Sequence, residues 1–399
     1  MKTRSINRII FYITAGFASL GLIILLILFM LGGGFIKQTY LEPWDKNYAS
    51  QFSDPRVQLT AYGLLAANNH NMQPWKIKLD KADNMVFYLY ADSSRVTGKV
   101  DPIFRQMMIT QGTFLEYVRI AGEKNGWNTL ISLFPDGVYD ESDIIHSMDK
   151  KPVAKITLSK TQPSASALYN SIFIADTNRE AYKAEQLTSA QISSLEKLSS
   201  KSDLFIKLYT SKNDMDIIGN FAIQSSTIEA GVERVMEESN TIFRANEYQK
   251  NKYRYGYSVE GQGTTGFKKN LLQGLLTIFP SLNSGKGASR NFINYTKTSV
   301  DNTPAYAMII TAGNSRIEQV ESGMLYSRLV LTGHTLGLAM QPLSQVLEEY
   351  PEMKTLYDKF KQTYAPQNGT VQMLFRVGKP VISAPLSMRQ DVKSLIADN

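Results

Sequence analysis

An α/β (α+β) architecture, with helices covering sheet and one membrane-crossing helix ahead of it, is what this 399-residue chain predicts. Three observations carry that expectation. An uncharged apolar run extends from Ile9 to Ile36, helical and strand patterns alternate through the remainder, and the helix-then-strand order occurs once in each half.

The apolar run comes first in the chain. About 20 apolar residues in a helix cross the hydrocarbon core of a bilayer, and Leu20 to Leu31 is almost wholly aliphatic, so residues 9–36 are expected to be a transmembrane anchor. Lys2, Arg4 and Arg8 then place residues 1–8 in the cytoplasm and the soluble part on the other side of a cell membrane, as a single-pass protein. A cleaved signal peptide is the alternative, with Gly32-Gly33-Gly34 small enough to be cut. The run is longer than a usual signal core, and no A-x-A-like site follows it.

Composition narrows the chemistry. The formal charge is +7, from 43 basic and 36 acidic residues, and three of those charges precede the anchor. A nucleic-acid partner is therefore not expected. Without cysteine there is no thiolate nucleophile, disulfide or iron–sulfur ligand. Three dispersed histidines, His70, His146 and His334, suggest neither a metal site nor a catalytic triad.

Residues 37–56 read as a linker, and two halves follow, 57–160 and 161–399. Helical patterns cover Arg56–Ala67, Gln106–Lys124, Asp216–Glu238 and Gln319–Thr335; strands are expected at Val86–Tyr90, Val153–Leu158, Leu204–Tyr209, Ala305–Thr311 and Val371–Val377. In the first half, Leu59–Leu79 reads as helix, polar loop and strand, followed by the Gln106 helix. In the second, Leu187–Tyr209 and the Gln319 helix repeat that order, with Ser199-Ser200-Lys201-Ser202 in place of the polar loop. Residues 245–299 fit neither unit. Rich in tyrosine and glycine, they read either as an inserted lid or as a surface excursion with packed tyrosines.

The polar loop Asn68-Asn69-His70-Asn71-Met72-Gln73-Pro74-Trp75 carries the most chemistry. Its four side-chain amides each donate and accept hydrogen bonds, which suits a planar heterocycle or a polyol. The same amides can instead cap their own turn. Trp75 is expected in the core, His70 as a structural histidine, and His334 as a helix-end residue favoured by the macrodipole.

This loop resembles the N-x-Q-P-W signature of nitroreductase-like FMN flavoproteins. The length and element order resemble the long fused, Acg-like branch, in which two nitroreductase-like halves form an internal pseudo-dimer. Other segments agree. Ala175-Asp176-Thr177-Asn178-Arg179 is similar to R-x-[ST]-x-R without its first arginine. Gly337 to Gln345 resembles a G-L-x-x-x-P segment beside the flavin, and reads from the residues alone as a helix end and a loop. Gln372 to Gly378, then Ser387-Met388-Arg389-Gln390-Asp391, resemble a strand and an S-P-R-R-P arm that keeps one of two arginines. Asp101 to Arg105 matches a D-x-x-x-R segment taken as scaffold.

The resemblance implies FMN as cofactor and NAD(P)H as electron donor, with flavin contacts from Asn68, Asn69, Asn71, Gln73, Thr177, Arg179, Pro342, Leu343 and Arg389. No catalytic side chain and no metal are implied, because the cofactor does the redox step. The expected activity is ping-pong reduction of a small acceptor such as a nitroaromatic or a quinone, by a monomer (pseudo-dimer) or a homodimer. The alternative is a flavin-binding or flavin-sequestering protein of the same fold with little turnover, and a fold retained without cofactor is a third reading.

Overall fold

The computed structural model describes residues 2–199, 201–365 and 369–397. Ser200, in the loop read as the polar loop's counterpart, lies outside them. So do the side chains of residues 1–5 and 8, on which the expected sidedness rests.

Helix α1, Lys2–Leu31, contains the apolar stretch Ile9–Leu31, which is long and apolar enough to cross a membrane and is exposed over most of its length, its C-terminal end packing on the rest of the chain at Leu28 and Phe29. A membrane span and a signal sequence share that property. The helix stops at Gly32, and Gly33 turns with φ +85°, so the last residues of the apolar run are a turn and not helix.

Each half then builds one four-stranded antiparallel sheet. The first begins with α2, Pro55–Gly63, whose start is fixed by Pro55 and by Asp54 accepting the Arg56 N–H at 2.9 Å. There follow β1 (Trp75–Leu79), β2 (Val86–Ala91), α3 (Arg105–Lys124), β3 (Trp127–Leu133), α4 (Ile144–Lys150) and β4 (Ala154–Lys160). After α5 (Ala167–Ser171) and α6 (Ser189–Glu196), the second half places β5 at Leu204–Tyr209. An excursion then carries α7 (Lys212–Gly231), α8 (Glu233–Thr241), α9 (Glu247–Tyr253), α10 (Gly266–Ile278) and α11 (Gly285–Asp301). The chain returns through β6 (Ala305–Thr311), α12 (Arg316–Thr335), β7 (Ala339–Pro342), α13 (Lys354–Tyr364) and β8 (Thr370–Gly378). The strand orders β1-β2-β4-β3 and β5-β6-β8-β7 are the same topology twice.

The halves join where α3 crosses α12. A Cβ on Gly112 would lie 1.8 Å from the Val320 carbonyl oxygen, and one on Gly323 would lie 1.8 Å from that of Ile109. Only glycine permits this backbone-to-backbone contact, and the requirement is reciprocal. Val320 and Leu331 of α12 pack into the same core as Trp75, Phe87, Phe114 and Tyr117 of the first half.

Three sequence expectations differ from the structure. The helix expected over Asp216–Glu238 is two helices, broken at Val232, whose φ/ψ of −98°/98° is extended. Strand β3 went unread because Trp127–Leu133 does not alternate in polarity: Leu130 points outward at 66% exposure beside a buried Trp127. Residues 339–342, read from the residues as part of a helix end and loop, form β7 on the edge of the second sheet.

Candidate functional site

The polar loop sits at the C-terminal end of α2. His70, Asn71 and Gln73 all adopt positive φ, 49°, 54° and 52°, a region that costs most side chains conformational energy. Hydrogen bonds hold the strain. Asn68 Oδ1 accepts the Gln73 N–H at 2.8 Å; Asn71 Nδ2 donates to the carbonyls of Gly256 at 2.9 Å and Met388 at 3.1 Å. Gln73 Nε2 donates to the Arg254 carbonyl at 2.8 Å, and its Oε1 accepts the Gln390 N–H at 2.8 Å. Asn69 Nδ2 donates to Thr97 Oγ1 at 3.1 Å. The amides therefore act as struts, capping their own turn and tying it to the excursion at 254–256 and to the C-terminal arm at 388–390. Of the two readings left open by composition, this is the capping one.

Arg389 behaves likewise. Its guanidinium is buried and donates to Asn71 Oδ1 at 3.0 Å, Ser387 Oγ at 2.6 Å, and the carbonyls of Met388 and Leu65 at 2.9 and 2.7 Å. Burial lowers its pKa to about 10, against the pull of Asp176 and Tyr117. Only Nε lacks a partner. A phosphate would have to displace these bonds, so Arg389 is a brace of the arm and not an open cation.

The segment 175–182 is held differently. Asn178 N–H donates to the Met340 carbonyl at 2.8 Å and its side chain to that of Ile382 at 2.9 Å, while Arg376 of β8 donates to the Glu180 carbonyl at 2.6 Å and lies 3.9 Å from the Tyr182 ring. Asp176 points inward, accepting the Ala67 N–H at 2.8 Å and the Tyr117 hydroxyl, with its pKa raised to about 6 by burial. Its charge is thus engaged inside the fold. Thr177 and Arg179, between these anchors, have no side-chain hydrogen bond or ion pair among the described residues, and both line a cavity.

That cavity, of about 520 Å³, lies between the polar loop, the 175–180 segment, the excursion, the residues after β7 and the C-terminal arm. The volume is in the range of ligand and cofactor pockets. Asn68, Asn71, Thr177, Arg179, Pro342, Leu343 and Arg389 line it; Asn69 and Gln73 do not. Gln73 is wholly buried. Pro342 has no N–H, and the Leu343 N–H is engaged by the Leu374 carbonyl at 2.9 Å, so neither offers a main-chain donor to a ligand.

Burial and the facing Arg179 lower the His70 pKa to about 4, which keeps the imidazole on the cavity wall neutral at pH 7. His334 is likewise lowered to about 4 by burial, so the favourable charge–dipole role expected of it does not operate. Asp101 accepts the Met107 N–H at 2.9 Å at the start of α3, and Arg105 donates to Glu349 at 2.8 Å and the Leu347 carbonyl at 2.8 Å, a scaffold joining the halves.

Sequence reasoning missed Glu229 of α7. It is buried on the cavity wall with Oε2 unpartnered, and burial raises its pKa to about 8. A glutamate in the middle of a helical pattern gives no signal of that. Tyr257 and Tyr295, also on the wall, come from the tyrosine- and glycine-rich stretch that was singled out.

Two sheets of the same topology, with a cofactor-sized cavity lined by residues of both halves, define a class of fold and site. No family model and no curated protein matches the chain. Solved structures do. One assigned as an NADH dehydrogenase/NAD(P)H nitroreductase from Bacteroides thetaiotaomicron shares 10% identity over 59% of this chain and 99% of its own, with a TM-score of 0.33. The FMN-dependent nitroreductase NfnB of Mycobacterium smegmatis, solved with NADPH, shares 12% over 55% of this chain and 92% of its own, with a TM-score of 0.31. One assigned as a nitroreductase from Anabaena variabilis shares 11% over 79% of this chain and 82% of its own, with a TM-score of 0.37. These are nitroreductase-like proteins, the family that the sequence motifs resemble. At such identities and TM-scores they carry nothing about activity.

Proposed function

We propose that the chain is a membrane-anchored, FMN-dependent oxidoreductase of the nitroreductase-like class, from the long fused branch. One observation carries the reading: Arg179, a guanidinium without a protein partner among the described residues, faces a cavity of about 520 Å³ lined by residues of both halves. The residues fit a phosphorylated cofactor with a polyol arm. Arg179 would hold the phosphate and Thr177 an adjacent oxygen, by charge-assisted and neutral hydrogen bonds respectively. Asn68 and Asn71 serve by shaping the wall. FMN, when bound, supplies the electron-transfer chemistry, with NAD(P)H as donor and a small molecule such as a nitroaromatic or quinone as acceptor. This chain's own part is to position and to exclude water, with His70 neutral on the wall. A cavity formed within one chain supports a monomer, α1 supports attachment to a cell membrane, and Lys2, Arg4 and Arg8 in the sequence ahead of it support a soluble part outside.

A second reading is favoured by one contact. The excursion is clamped to the polar loop from both sides, Gly256 N–H to the Asn71 carbonyl and Asn71 Nδ2 to the Gly256 carbonyl, each at 2.9 Å. A wall so fixed suits a protein that keeps a flavin without turnover.

The test is a visible spectrum of the purified full chain after adding excess FMN and removing what is unbound. A yellow protein is expected. A colourless one, with no measurable FMN affinity, sinks both readings. If it is yellow, anaerobic mixing with NADPH separates them: bleaching supports the oxidoreductase, and a spectrum that never bleaches supports storage.

A further inference from the structure

We infer that α10 and the turn after it are seated in the lipid surface, giving the soluble body a second contact with the bilayer besides α1. The inference rests on the reading of α1 as a membrane span.

The geometry begins at the end of α1. A Cβ on Gly32 would lie 2.0 Å from the Asn270 carbonyl oxygen, and one on Gly274 would lie 2.0 Å from that of Leu28. The helices thus touch backbone to backbone through small residues, as packed membrane helices do. The pairs 32 with 270 and 28 with 274 also fix an antiparallel register, so α10 runs back along α1 toward the apolar segment. One further turn brings Ile278 level with Ile24, well within the stretch Ile9–Leu31.

The exposed side chains on this element are those a lipid surface requires. Phe267, Ile278, Phe279 and Leu282 are 58%, 44%, 53% and 54% exposed, and Phe267 stacks on Phe29 of α1 with ring centroids 5.3 Å apart. In water such a cluster is unfavourable; beside a span that already crosses the bilayer it is in contact with lipid. Charge agrees. Between Glu260 and Asp301 there is no acidic residue, whereas Lys268, Lys269, Lys286, Arg290 and Lys297 fall there. Lys269 is paired internally with Glu247 and Glu260. Lys268 of α10 is exposed, a cation for an anionic headgroup beside the apolar cluster; Lys286, Arg290 and Lys297 are exposed too, and line a groove with Glu233 and Glu237 of α8.

The attachment is rigid. Lys250 and Lys269 bridge Glu247 and Glu260 at 2.5–3.0 Å, Tyr40 donates to Glu247 at 2.8 Å, and the Glu247 N–H donates to the Gly32 carbonyl at 3.2 Å. The end of α1 is therefore fixed to α9 and α10 rather than joined by a free linker. The turn after α10 contributes Leu282 and Asn283 to the cavity wall. The segment that meets the lipid is thus also one wall of the site.

The test uses the full chain in vesicles of phosphatidylcholine and phosphatidylglycerol carrying brominated acyl chains, which quench an indole only at close range. Four variants are compared with the unsubstituted chain: F279W and L282W on the proposed surface, F17W within α1, and L130W on the outer face of the first sheet. The added emission of F279W, L282W and F17W is expected to be quenched and that of L130W to persist. If F17W is quenched while F279W and L282W stay as bright as L130W, the inference falls and the anchor stands. If F17W is not quenched, the anchor reading falls and takes the inference with it. Shielding of F279W from soluble iodide that grows with protein concentration, without bromine quenching, assigns the face to a second copy and also overturns it. L282W keeps the test decisive if F279W does not fold.

Discussion

The two halves share a topology and differ in one connection. Between β1 and β2 the chain passes through residues 80–85; between β5 and β6 it passes through residues 210–304 and builds five helices. The shared part is a scaffold whose demands are reciprocal, as Gly112 and Gly323 show. The unshared part touches the polar loop and the end of α1, and supplies a wall of the cavity. The repeated part therefore holds the two sheets together, and the unrepeated part gives the cavity a wall that the repeat does not supply.

The largest expected effect tests the shared part. Gly323→Val places side-chain atoms where the Ile109 carbonyl oxygen is, and the two helices must separate. A loss on the order of 3 kcal/mol or more, or no folded protein, is expected by thermal unfolding. Gly231→Ala, at the end of α7 with nothing within 4 Å of the added Cβ, is expected to change stability by less than about 0.5 kcal/mol. Equal effects would show that the crossing is not the seam.

The next breaks the unshared part. Lys250→Met leaves Glu247 and Glu260, both largely buried, with Lys269 alone. Burial drives the Glu260 carboxyl upward, yet Lys250 and Lys269 hold it below its ordinary pKa. Removing one partner of such a set costs about 3–5 kcal/mol. Limited proteolysis should then cut within residues 245–299 before it cuts the two sheets. Simultaneous cleavage everywhere would mean that excursion and scaffold unfold as one unit.

A third expectation concerns pH. Glu229 titrates near 4.5 unfolded and near 8 folded, because burial disfavours its charge, and its neighbour Glu348 is raised well above its ordinary value by burial and by Glu229. The folded state holds the extra proton between those values. The stability gained is complete below about pH 4.5 and is lost as pH rises through about 8. Glu229→Gln should flatten the fall of melting temperature over that window and raise it at the alkaline end. An unchanged slope would remove Glu229 as the cause.

What was legible in the sequence follows the same division. The strands β2, β4, β5, β6 and β8, the long helices α3 and α12 and the repeat itself were readable, because burial on a sheet or helix face imposes periodic apolar residues. Strand β3 was not, since its outward position 130 carries an apolar leucine where alternation calls for a polar residue. The Asp216–Glu238 pattern hid its break, because Val232 interrupts the helix by conformation and not by composition. The site was half legible. Thr177 and Arg179 line the cavity and make no side-chain hydrogen bond or ion pair among the described residues. Asn71 and Arg389 have side chains suited to a ligand, yet their hydrogen bonds are already made within the fold, and no local pattern announces a partner more than 180 residues away.

That contrast gives the finest prediction, between two residues on one cavity wall. Asn71→Ala removes three hydrogen bonds that join loop, excursion and arm, and should cost about 1–3 kcal/mol of stability. Any loss of ligand affinity would follow from the loosened wall, and stabilising the fold by an osmolyte should restore part of it. Arg179→Ala removes no bond made within the described residues, so stability should change by less than about 0.5 kcal/mol. Affinity for FMN measured by calorimetric titration should nevertheless fall roughly tenfold or more, the scale of one charged hydrogen bond, and Arg179→Lys should recover part of it. If Arg179→Ala binds FMN as the unsubstituted chain does while Asn71→Ala does not, the phosphate is held from the loop side and the assignment of Arg179 is wrong.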